Sequence, residues 1–160
     1  MRKFPIVDYP VYDIPSRLVQ FDNSGIVLLE GQYKRRMELC GEFNKNAVNQ
    51  LKASPTLGSR GTRKTGYISC AEFVSEYAII DSRRENLDAL KSYYIIWIDF
   101  LCEKSGHEIG LLLDLIFYRY GQKYFTVLSV NDLRLWVDTL ENIPTAIIKD
   151  LIGISEKVRA

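Results

Sequence analysis

Three sets of residues in this chain have types and spacings that could do chemistry. The first is residues 58–66, GSRGTRKTG, which approach the phosphate-binding pattern G-x-x-x-x-G-K-[ST]. Gly58 fits its start and Lys64-Thr65 its end, but the glycine that should precede the lysine is Arg63. A side chain there would crowd the backbone amides that must cradle phosphate. The residues leading into the loop also have the pattern of an amphipathic helix rather than a buried strand. Nucleotide hydrolysis is therefore not expected, and no cofactor is. As a plain basic loop, Arg60, Arg63 and Lys64 can still follow a phosphate backbone, giving salt-sensitive, sequence-independent affinity. The run Lys34, Arg35 and Arg36 offers the same chemistry further upstream.

The second set is His107 with Cys102, a base and a nucleophile five residues apart. Cys102 falls at the end of an apolar stretch and is more simply read as a packed thiol, and His107 as a residue at a helix end. One histidine excludes a multi-histidine metal site. Cys40, Cys70 and Cys102 lie far apart and form no C-x-x-C pair, so neither a metal site nor a disulfide framework is expected. The third set is Asp99 and Asp114, two carboxylates in strongly apolar surroundings. Such a pair can do acid–base work. Burial without a partner would be costly, so each should instead find a donor, with Arg119, Tyr94 and Tyr118 as candidates. No catalytic residue is assigned.

The elements that would position these groups follow from periodicity. Leu87, Leu90, Tyr94, Trp97 and Leu101 recur three and four apart, as one helix face requires, and Tyr93, Ile96 and Phe100 cover its flank. Residues 109–120 are equally apolar, with Asp114 and Arg119 as their charges. The two read as a buried helical hairpin, ended at Gly106 and Gly121. Around it, the spacing predicts an amphipathic helix from Tyr33 to about Ala53. Capping boxes at Ser69/Glu72 and Ser82/Glu85 predict a short helix and the start of the central one. Residues 122–128 predict a short strand. Ser129 predicts the cap of a helix carrying Leu133, Trp136, Val137 and Leu140, and Pro144 opens a last helix with Gly153 as its weak point. Residues 17–30, RLVQF-DNSG-IVLLE, read as a β-hairpin. Pro5, Pro10 and Pro15 hold residues 1–16 extended.

The expected fold is thus mainly α: a helical bundle around a buried central helical hairpin, with a small N-terminal β-hairpin and an extended N-terminal arm. The arm spans residues 1–16 and a single helical domain spans residues 17–160. Composition agrees with one soluble domain, at 47% hydrophobic and 26% charged residues over 160 positions. No apolar run reaches the roughly 18 residues a membrane span needs, and no apolar secretory segment follows the N-terminus. Net charge is +1, but residues 1–68 carry eleven Lys/Arg against six Asp/Glu, and residues 69–160 ten against fourteen. Such asymmetry suits attraction between the two halves within a monomer, contact between subunits stacked head to tail, or two different partners.

FPIVDYPVYDIPS resembles the extended, proline-marked openings of some tailed-phage baseplate hub assembly proteins, and SVNDLRLWVDTL is similar to a helix near their C-terminus. The resemblance implies a viral structural role in assembly, in a bacterial host's cytoplasm or in the virion. With no nucleotide loop, no metal-ligand spacing and no convincing nucleophile–base pair in the sequence, the expected function is that of a non-enzymatic, cytoplasmic assembly or adaptor component. It would bind another protein or form an oligomer with copies of itself, docking through Phe4, Tyr9 and Tyr12 of the arm. The alternative is a nucleic-acid-binding regulatory module using the basic glycine-rich loop, with Lys34, Arg35, Arg36, Arg60, Arg63 and Lys64 as its contacts.

Overall fold

The computed structural model describes residues 25–53, 62–69, 88, 90–99, 106–140 and 143–159. In chain order these form β1 (Gly25–Glu30), α1 (Tyr33–Ala53), β2 (Thr62–Ser69), β3 (Tyr93–Asp99) and α2 (Gly106–Gly121). They continue with β4 (Phe125–Val130), α3 (Leu133–Thr139), α4 (Thr145–Ile154) and β5 (Ser155–Arg159). The five strands make one sheet in the order β2-β3-β4-β1-β5, and every pair is parallel.

Parallel pairing forces the helices to act as crossovers and covers both faces of the sheet. Side chains alternate along each strand, so each one feeds two cores. Ile26 and Leu28 of β1, Ile96 and Ile98 of β3, and Leu128 and Val130 of β4 pack beneath α2, α3 and α4. Val27 and Leu29, Ile95 and Trp97, and Phe125 and Val127 turn the other way, toward Leu39, Cys40 and Phe43 of α1. The phenyl ring of Phe43 meets Trp97 edge-on at 5.5 Å and stacks on Phe125 at 5.9 Å. Side chains such as Leu112 and Ile116 of α2, fully buried one turn apart, contribute on the order of 1.5–3 kcal/mol each.

This architecture overturns the expected helical bundle. Residues 93–99, expected in the middle of a central helix, are a strand flanked by β2 and β4. A strand buried on both faces has a continuous apolar run, and residues 93–98, YYIIWI, matched helical spacing by being apolar throughout. Its β-branched and aromatic content was the contrary signal. Gly106 opens α2 rather than closing a helix, and His107 follows it in the first turn. The expected N-terminal hairpin also fails, because β4 and β5 occupy the two edges of β1 in parallel. Residues 17–21, the arm with Phe4, Tyr9 and Tyr12, and the pair Ser82/Glu85 lie outside the described residues. So do Arg60, Cys102 and Glu72.

Other expectations hold in outline. α1 runs over the expected residues, α2 ends at Gly121, and a strand follows it. Pro144 stands immediately before α4. Ser129, however, lies inside β4. The residue capping α3 is Asp132, whose carboxylate accepts the Leu135 amide at 3.0 Å. β5, directly after α4, has no counterpart in the sequence pattern.

Arg119, in the last turn of α2, fastens that helix to the amino ends of β3 and β4. Its guanidinium donates to the carbonyls of Leu90, Tyr93 and Phe125 and to the Thr126 hydroxyl. Burial pulls it down to about 9, which leaves it cationic at neutral pH. It is fully buried yet does not serve Asp99 or Asp114 in the way the sequence suggested.

Candidate functional site at the carboxyl edge of the sheet

In an open parallel sheet, ligands bind outside the carboxyl ends of the strands, where neighbouring strands send their chains in opposite directions. Here that point lies between β1 and β4. β1 leads toward β2 at one edge of the sheet and β4 toward β5 at the other. The side chains that converge beside it are Arg36 from α1, Asp99 from the end of β3, and Ser129 from β4.

Local sequence explains the convergence. Asp99 and Ser129 are register partners at the ends of adjacent strands and point to the α1 face, two residues beyond Trp97 and Val127. Only Gly31 and Gln32 separate β1 from α1, so the first turn of α1 starts directly over this edge. Arg36 Nε donates to Asp99 Oδ1 at 2.9 Å, and its second terminal nitrogen approaches Oδ2 at 3.4 Å. The remaining terminal nitrogen donates to the Gly31 carbonyl at 2.7 Å. The Ser129 hydroxyl donates to Asp99 Oδ1 at 2.6 Å and accepts from Trp97 Nε1 at 2.8 Å. All four side chains are buried. A charge pair this deep is stable only because the charges meet each other and their spare donors and acceptors are also met.

The crevice between β1 and β4 is closed in the same way. The Gly31 amide donates to the Val130 carbonyl at 3.0 Å. Glu30 turns to the opposite face and accepts the Leu133 amide at the start of α3, at 2.8 Å. Its other oxygen accepts from Arg159 of β5 at 3.1 Å. The ends of β1, β4 and β5 and the start of α3 are thereby joined around the switch point.

Around this locked centre the rim is basic and aromatic. Tyr33 is 58% exposed, and its ring lies 5.5 Å from the Arg36 guanidinium. Lys34 and Arg35 face solvent, Arg35 in a surface pair with Glu38 at 3.5 Å. Arg134 and Leu135 are exposed on the first turn of α3. The sequence grouped Lys34, Arg35 and Arg36 as like surface cations, but the structure divides them, with Arg36 inside. Arg63 and Lys64 belong to β2, an edge strand, so the Lys-Thr pair does not open a helix as a phosphate loop requires. Asp99 and Asp114 do not meet. Asp99 faces α1, whereas Asp114 is exposed on α2 across the sheet. The Arg36–Asp99 pair, 63 residues apart, had no signal in spacing. The terminal Asp after the apolar run IIWI was the available clue.

Cys40, one turn along α1 from Arg36, sits beneath this network. Burial first and the Asp99 carboxylate second push its thiol up to about 12, making it inert rather than nucleophilic. Among the described residues there is no cluster of ligands for a metal and no helix long and apolar enough to cross a membrane.

No family model and no curated protein matches the chain. Its fold does match solved structures. One is the replication initiator DnaA bound to AMPPCP and single-stranded DNA, with a TM-score of 0.67 and 13% identity over 91% of this chain. AMPPCP-bound DnaA from Aquifex aeolicus gives 0.61 and 12% over 90%, and DnaI gives 0.61 and 12% over 91%. The chain spans 43% and 44% of the two DnaA chains and 77% of DnaI. At such identities the likeness is one of fold. It replaces the resemblance to phage baseplate hub assembly proteins, and with it the reading as a viral tail adaptor. Of the two stretches that suggested that resemblance, SVNDLRLWVDTL is the end of β4 running into α3, and FPIVDYPVYDIPS lies outside the described residues.

Proposed function

We propose that this chain is a nucleic-acid-binding module on a replication-initiator type of fold, with single-stranded nucleic acid as its ligand. The observation that carries the reading is the division of labour in the first turn of α1. Arg36 is anchored inside on Asp99, while Tyr33, Lys34 and Arg35 are held outward at the rim. An exposed aromatic ring beside cations suits a single strand, since bases stack on the ring and phosphates meet the charges without regard to sequence. The likeness to DnaA bound to single-stranded DNA supports the same ligand class. The role is one of binding, because the carboxylate best placed for chemistry, Asp99, is already neutralised by Arg36.

The test is fluorescence anisotropy with a labelled oligothymidine and with a duplex of equal length, each over a range of salt. Wild-type protein should prefer the single strand. Replacing Lys34 and Arg35 together by Ala should weaken binding and reduce the salt slope by about one for each phosphate that is no longer neutralised. Tyr33→Ala should weaken binding with little change in slope. An absence of binding at low salt would remove the reading.

A further inference from the structure

We infer that Arg36 is a built-in cation standing where this kind of fold would otherwise present Asp99 to a nucleotide-bound metal, so that the domain keeps its shape without nucleotide. In phosphate-loop proteins a glycine-rich turn wraps the phosphates, and an aspartate at a strand end helps to hold the magnesium ion. Two of the structures similar to this one hold AMPPCP, a nucleoside triphosphate analogue. The residues here do not fit such a ligand.

Three observations point the same way. The connection from β1 to α1 is Gly31-Gln32, too short to wrap a phosphate chain, and its Gly31 amide is already bonded to the Val130 carbonyl. Its carbonyl is taken as well, by Arg36. Both oxygens of Asp99 are engaged, Oδ1 by Arg36 and Ser129 and Oδ2 by Arg36. A metal ion would have to displace a guanidinium with no solvent-exposed surface in order to reach the carboxylate. Lys34, which follows the β1 turn much as a phosphate-loop lysine would, faces solvent instead. The pair therefore supplies internally the charge neutralisation that a bound metal and nucleotide would supply from outside. It also ties α1 to β3 and β4 permanently.

The inference does not depend on nucleic-acid binding, and its test involves no nucleic acid. Thermal melting of the full chain, with and without millimolar Mg-ATP or Mg-ADP, should show no shift. Titration with a fluorescent ATP analogue should give no saturable signal. Arg36→Gln should lower the melting temperature clearly, and adding Asp99→Asn to it should recover part of the loss, because the uncompensated carboxylate is then gone. Should Arg36→Gln fail to fold, Arg36→Lys keeps a cation and should melt between wild type and unfolded chain, still unmoved by Mg-ATP. A rise in wild-type melting temperature with Mg-ATP that Asp99→Asn abolishes would overturn the inference. So would an Arg36→Gln variant that melts like wild type.

Discussion

Arg36 and Asp99 meet through two nitrogen–oxygen contacts, of 2.9 and 3.4 Å, with neither side chain open to solvent. One residue opens a helix and the other closes a strand two places away in the sheet. Neither could be buried without the other.

Breaking that pair from one side should be costly. Arg36→Ala or Asp99→Ala strands a charge in the interior, and each should lose about 3–5 kcal/mol in denaturant unfolding. Replacing both by apolar residues of similar volume should cost markedly less than the two single substitutions together. Strict additivity would mean that the charges contribute independently and that the pair is not the unit of stability.

Ser129→Ala removes one hydroxyl that serves two neighbours. Trp97 Nε1 loses its acceptor and Asp99 Oδ1 one of its donors, so destabilisation of about 1–3 kcal/mol is expected. Tryptophan emission should also change, because the environment of a buried indole nitrogen has been altered. A variant with native stability and an unchanged spectrum would contradict this geometry.

Trp97→Ala should cost about 3–5 kcal/mol. The indole is fully buried in the α1-facing core, edge-on to Phe43. Chemical denaturation with circular dichroism gives the value. A loss below about 1 kcal/mol would place Trp97 at the surface.

Cys40 should resist alkylation in the native state and react readily once the chain is unfolded. Its folded value, about 12, lies above the ordinary 9.0 of a thiol, so the folded state holds the proton more tightly than the unfolded state does. The stability linked to this proton is complete below about pH 9 and is lost as pH rises from there toward 12. Iodoacetamide labelling followed by peptide mapping separates Cys40 from Cys70 and Cys102. Rapid labelling of Cys40 in native protein near pH 8 would show that the thiol is exposed.

Several elements of this protein were determined locally. The 3.6-residue period and the polar flanks delimit α1, Gly121 ends α2, and Pro144 marks the start of α4, because caps, breakers and amphipathic faces act over a few neighbouring residues. The dense apolar runs also identified where the core would lie. Local pattern could not say whether YYIIWID is helix or strand, since a segment buried on every side has no polar face to reveal its period. Its partners decided that. β2 and β4 pair along it, and β4 and β5 claim the two edges of β1, contacts between segments that are distant in the chain. The same holds at the candidate site. Sequence alone showed three adjacent cations, Lys34, Arg35 and Arg36, and an aspartate needing a donor. Which cation turns inward depends on the angle at which α1 leaves β1 above the end of β3, and only the assembled sheet sets that angle.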